Sequence, residues 1–113
     1  MNTVTIGVSS LEETKGRMRR AFRGARQGAY IGFPSLEHLW KVPTPKRWDI
    51  VRAIAGAGPL AIRALARRVG RDVKSVHGDV QALLKAGVLE RAEDGGVVFP
   101  YDEVRVDFVV RAA

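Results

Sequence analysis

The stretch PLAIRALARRVGRDVKSVHGDVQALLKAG, Pro59 to Gly87, decides the fold. Pro59 suits a first helical position, where its missing N–H would have had no intrahelical partner. Leu60, Ile62, Leu65, Ala66 and Val69 then recur at helical spacing, and Gly70 stands where a left-handed cap belongs. Asp72 offers a carboxylate to the free N–H groups of a second helix, whose core positions are Val73, Val76, Val80, Leu83 and Leu84. Gly87 ends it. Two helices joined by a short glycine-containing turn form the helix-turn-helix pattern of a DNA reader.

The outward face of the second helix sets what it can touch. At ~100° per residue, Lys74, Ser75, Gly78, Gln81, Ala82 and Lys85 share one side. Lys74, Ser75 and Gln81 can hydrogen-bond to base edges or phosphates, while Gly78 and Ala82 have little bulk to hold the helix away from a groove floor.

After Gly87 comes VLERAEDGGVVFP, with expected short strands from Val88 to Arg91 and from Val97 to Phe99 around Asp94-Gly95-Gly96. Asp-Gly between apolar runs is a hairpin signal. A hairpin directly behind a helix-turn-helix is a wing. Here the chain resembles the small prokaryotic winged-helix transcription regulators of the MarR-like superfamily. The resemblance rests on TPKRWDIVRAI, the segment from Pro59 to Arg91, and DGGVVFPYDEVRV, about the last two thirds of the chain. It implies a winged fold, duplex DNA as partner and a regulatory role; some similar short regulators are antitoxins, which adds a toxin-like protein partner. One departure is the hairpin tip, which carries Glu93 and Asp94 where a tip that grips a minor groove usually carries Arg or Lys.

A chain of 113 residues fits one domain with a modest core. No apolar run approaches the length of a membrane span and no signal-peptide pattern is present, so the expected location is cytoplasmic with no membrane partner. The lack of cysteine excludes disulfides, thiolate metal sites and a cysteine nucleophile. The net charge of +7 is unevenly placed: between Lys15 and Arg71 the only acids are Glu37 and Asp49, whereas from Asp72 onward acids outnumber bases. A polyanion-binding surface needs such asymmetry, because neutralised phosphates release counterions.

Along the chain, Val4, Ile6 and Val8 alternate with small or polar residues as in a strand, which Gly7 weakens. Ser9 or Ser10 can cap a helix with Leu11, Met18, Ala21, Phe22 and Ala25 as its apolar stripe and Lys15, Arg17, Arg19, Arg20, Arg23 and Arg26 on its basic side. Ala29 to Phe33 reads as a second strand, and Ser35 to Trp40 as a short capped helix. Thr44-Pro45 caps a further helix carrying Trp48, Val51, Ile54 and Ala55, stopped by Gly56 and Gly58. Trp40 and Trp48 read as packing residues, and His77 as a packed, locally bonded one. Val104, Val106, Phe108 and Val110 alternate as a terminal strand. The strands at the two ends need partners: each other, Ala29 to Phe33, or a second copy of the chain. Dimerisation through the termini follows from the last option, and would set two recognition helices ~34 Å apart on a palindromic site.

The expected fold is therefore α+β, a winged helix-turn-helix with an extra N-terminal strand-helix-strand and a C-terminal strand. Residues 1–34 form a dimerisation or partner-binding arm, 35–100 the winged domain, and 101–113 the last strand. Lys74, Ser75 and Gln81 are assigned as base readers, and Lys46, Arg47, Arg63, Arg67, Arg68 and Arg71 as phosphate contacts. The expected function is a sequence-specific duplex-DNA-binding regulator, a dimeric repressor. The rival is an antitoxin-like protein-interaction module that docks its partner through the basic helix. No catalytic, metal or cofactor site is expected: there is no Walker loop, and His38 and His77 are the only histidines.

Overall fold

The computed structural model describes residues 2–8, 29–110 and 112. Its elements are β1 (Thr3–Val8), β2 (Ala29–Phe33), α1 (Leu36–Lys41), α2 (Pro45–Ile54), α3 (Ile62–Val69), α4 (Val73–Lys85), β3 (Glu90–Arg91), β4 (Val97–Val98) and β5 (Glu103–Asp107). The expected first helix, with its basic side, lies outside the described residues. Among the described residues the fold is a small α+β one built from a parallel three-stranded sheet, four helices and a two-stranded antiparallel sheet.

The terminal strands find their partners within the chain. β1 is the middle strand of the order β2-β1-β5, parallel to both neighbours. Val4 and Ile6 point to one side, opposite Ala29 and Ile31 on one flank and Val104 and Val106 on the other, and both are fully buried against the helices. The other side carries Thr3, Thr5 and Gly7 beside Glu103, Arg105 and Asp107. Strand pairing therefore no longer requires a second copy for β1. Gly7, which weakened the strand reading, belongs in the strand because of close approach. A Cβ there would lie 2.7 Å from both the Asp107 carbonyl oxygen and the Tyr30 hydroxyl, distances no side chain tolerates without displacing backbone.

Capping explains most helix starts. Ser35 accepts from the His38 N–H, Thr44 from the Arg47 N–H with Pro45 at the first turn, and Asp72 from the Ser75 N–H. The start of α3 differs from expectation. Pro59 is not its first residue; the helix begins at Ile62 with no side-chain cap, because Leu60 is hydrogen-bonded in both directions to Val97. Two bonds of 2.9 Å to β4 hold Leu60 extended and delay the helix. Gly70 at φ +69° closes α3, its left-handed backbone allowing the chain to turn directly into α4.

Ile50, Val51 and Ile54 of α2, Leu65 and Ala66 of α3, and Val76, Val80 and Leu83 of α4 form a continuous core. Each of the Val, Leu and Ile side chains contributes about 1.5–3 kcal/mol on burial, enough to fix the three helices on one another. The hairpin strands are shorter than expected: Val88, Leu89 and Phe99 are buried in this core rather than paired across the hairpin. Val73, read as a core position, is exposed at the first residue of α4. Trp40 is exposed instead of packed inside, stacked edge-on against Phe108, and β5 ends at Asp107, before that residue. Trp48 packs against the core as expected.

Candidate nucleic-acid interface

The outward side of α4 is set by its buried side. With Val76, Val80 and Leu83 inside, Lys74, Ser75, His77, Gly78 and Lys85 are exposed, while Gln81 and Ala82 are half-buried. His77 is thus a surface residue, not a packed one, because it follows Val76 by about 100° around the helix, away from the core. Lys74, Gly78, Gln81 and Lys85 lie along one strip, with Ser75 on its flank at the first turn. The Asp72 carboxylate is held below its ordinary value of 3.8 by the Ser75 N–H and then by the Ser75 hydroxyl.

Gln81 is tied to the hairpin. Its Oε1 accepts from Nη2 of Arg91 at 3.3 Å, so Arg91, in β3, stands beside the α4 strip. Arg91 was not among the sequence-derived site residues. Its place depends on the hairpin folding back along α4, which no local pattern encodes. Glu93 and Asp94 are exposed there, and the Asp94 side chain accepts from the Gly96 N–H at 2.9 Å to close the turn.

The residues assigned to phosphate contact separate into three groups. Lys46 on α2, and Arg63 and Arg67 on α3, are exposed, and one turn of helix stacks Arg63 and Arg67 on the same side. Arg68 projects the other way, toward α2, where its Nη1 lies 3.3 Å from the Ala53 carbonyl in a shallow hollow shared with Asp49, Arg52 and Val69. Arg47 and Arg71 form the third group, and both are engaged inside the protein. Asp79 of α4 accepts from Arg47 Nε at 3.1 Å and from Arg71 Nη2 at 2.8 Å, and Arg47 Nη1 also donates to the Val42 carbonyl at 2.9 Å. Burial pushes the Asp79 carboxyl up, but the bonds from Arg71 and Arg47 outweigh it and hold it below 3.8. The three side chains are about one fifth exposed. Asp79 thereby joins the start of α2, the α3–α4 turn and the middle of α4, and it orients the strip without being part of it. A single acid set among the valines of α4 was the available signal for it in the sequence.

Residues 42–106, more than half of the chain, match the family model described as HVO_A0114. The chain belongs to the HVO_A0114 family. The matched segment begins at the end of α1 and runs through the helices and the hairpin to β5, so the family's shared part contains the α4 strip, Arg91 and the Asp79 pairings, while β1 and β2 precede it. Among curated proteins, none matches the chain.

Across the described residues, no group of three or more His, Cys, Asp or Glu is placed to hold a metal ion, and no helix is long and apolar enough to cross a membrane.

Proposed function

We propose that this member of the HVO_A0114 family is a sequence-specific duplex-DNA-binding regulator of winged-helix type, working as a dimer in the cytoplasm and repressing by occupying its site. The observation that carries the reading is the α4 strip: Lys74, Gly78, Gln81 and Lys85 face outward on a helix whose N-terminal turn also exposes Ser75, with Arg91 beside Gln81. A helix with two glycine-sized or small positions between polar and cationic ones can approach base edges in a major groove. Arg63, Arg67 and Lys46 supply exposed cations for the backbone, and backbone contacts set register while base contacts set sequence. In this reading Lys74, Ser75 and Gln81 read bases; Arg47 and Arg71 hold α4 in place through Asp79 instead of touching phosphate. Arg91 joins the DNA-facing set.

The test is selection of sites from a random duplex library at ~150 mM salt, followed by the affinity of the winner relative to scrambled DNA. A regulator prefers its site by ~10³ or more. A second reading is favoured by the exposed acids Glu93 and Asp94 at the hairpin tip, which do not suit contact with a phosphate backbone. In that case, an antitoxin-like interaction module, no site is enriched and binding to DNA is weak and fully salt-sensitive.

A further inference from the structure

The edge of the parallel sheet along β5 carries a surface that is open among the described residues. Among the described residues β5 is hydrogen-bonded on one side only, to β1. Across that pair Val4 and Ile6 are completely buried, but their β5 neighbours are progressively less so: Val104 is partly covered, and Val106 is 41% exposed. The core-facing side of the sheet therefore runs past the rim of the core. Beyond it Phe108 is 39% exposed and stacks on Trp40, itself 57% exposed, at a ring separation of 4.7 Å. An apolar strip along an unpaired strand edge is a template for further pairing, and charges on edge strands serve to limit it. Here the charges on the opposite side of β5, Glu103, Arg105 and Asp107, alternate in sign and permit one pairing in particular.

We infer that a second copy of the chain docks on this edge, β5 against β5 in antiparallel register about a two-fold axis that passes at Val106. Symmetry restricts the choices, because an isologous antiparallel pair must place some residue opposite itself and keep each residue on its own side of the sheet. Centred on Arg105, the pairing sets Arg105 against the partner's Arg105 and Glu103 against the partner's Asp107, all like charges. Centred on Asp107, it sets two carboxylates face to face and leaves Arg105 opposite the partner's Val109. Centred on Val104, it satisfies Arg105 with the partner's Glu103 but places Val106 opposite the partner's Asp102 and Phe108 opposite the partner's Pro100. Centred on Val106, Arg105 meets the partner's Asp107 twice by symmetry on one side. On the other side Val106 meets itself and, with the strand carried one residue past Asp107, Val104 meets the partner's Phe108. Glu103 falls opposite the partner's Val109 at the end of the pair, but charge and apolar complementarity coincide only in this register, and such cross-strand pairs are what stabilise a sheet junction. The product is a six-stranded sheet, β2-β1-β5 continued by the partner's β5-β1-β2, with the Trp40 and Phe108 rings of each copy flanking the junction.

The inference rests on the dimeric part of the proposed function and not on its DNA part. Its test is sedimentation equilibrium of the full chain without DNA between ~1 and ~100 μM, a range that reports micromolar dissociation constants, with circular dichroism checking that each variant is folded. The wild-type mass is expected to approach twice 12.4 kDa. Arg105→Asp places like charges in both cross-strand pairs and is expected to raise the dissociation constant about tenfold or more. The double exchange Arg105→Asp with Asp107→Arg restores complementarity and is expected to recover dimerisation, which a merely structural effect would not. Val106→Lys, at a position already open to solvent, puts two ammonium groups together at the axis and is expected to give a folded monomer. A wild-type monomer throughout the range overturns the inference, as does a dimer unaffected by Val106→Lys or a double exchange that stays monomeric. Site selection repeated on the Val106→Lys monomer separates the two claims: an enriched half-site supports DNA reading whatever the interface, and a wild-type dimer with no preferred site upholds the interface while sinking DNA reading.

Discussion

Asp79 Oδ2 lies 2.8 Å from Nη2 of Arg71, and this pair joins the middle of α4 to the turn that precedes it. Arg47 completes the arrangement from α2 through the other carboxylate oxygen at 3.1 Å. Replacing Asp79 with Ala leaves two largely enclosed guanidinium groups without their carboxylate, a loss worth about 2–4 kcal/mol for groups this far from water. Arg71→Ala is milder, since Asp79 keeps Arg47. Urea unfolding of the two variants and wild type gives the order; equal midpoints for Asp79→Ala and wild type would show that the ion pairs contribute nothing.

The same carboxylate sets a pH dependence. Its folded pKa is depressed below 3.8 by the arginines, so it binds a proton less readily folded than unfolded. The stabilisation is present above the unfolded value and is lost as pH falls through the folded one. Wild type should therefore lose stability steeply below about pH 4, and Asp79→Asn, which cannot titrate, should show a shallower acid limb of the urea midpoint. Superimposable acid limbs would assign the effect to other carboxyls.

Gly7 is closed in by the Asp107 carbonyl and the Tyr30 hydroxyl. Gly7→Ala should cost about 1–3 kcal/mol through overpacking at the middle strand. Thermal melts decide it, because a domain of this size shifts by about 4–8 °C per kcal/mol; an unchanged melting temperature would mean that β1 and β5 can separate without loss.

In the DNA-binding reading, Gln81 and Arg67 have different duties. Gln81→Ala should relax preference at one base position with a small change elsewhere. Arg67→Ala should weaken all sequences alike and reduce the salt slope by about one contact. Binding-site selection and salt titration on both variants check this, and identical behaviour would show that the roles are wrongly divided.

The starts of α1, α2 and α4 and the end of α3 were legible in the sequence because their determinants are local. Ser35, Thr44-Pro45, Asp72 and Gly70 act on backbone groups within one turn of themselves, and all four stand where the sequence placed them. The core faces of α2 and α4 followed in large part from helical spacing, but Ile50, fully buried on α2, was not among the residues it named, and Val73, which it placed in the core, is exposed. The alternation in Thr3–Val8 and in Glu103–Asp107 announced strands but not their order. Parallel pairing joins β1 to β2, 25 positions on, and to β5, 100 positions on, and only packing of the whole chain selects it.

Tertiary structure alone decided the status of the charged residues. In the sequence Arg47, Arg67 and Arg71 are equivalent cations near a helix-turn-helix; in the fold, Asp79 claims two of them and leaves Arg67 to solvent. Pro59 was displaced from the start of α3 by the Leu60 bonds to Val97, and Trp40 was left outside by the rim of the sheet. The physical reason is common to these cases. Caps and periodicity are set by neighbours along the chain, whereas the worth of a charge, an edge or an aromatic ring depends on what the rest of the fold brings within a few ångströms of it.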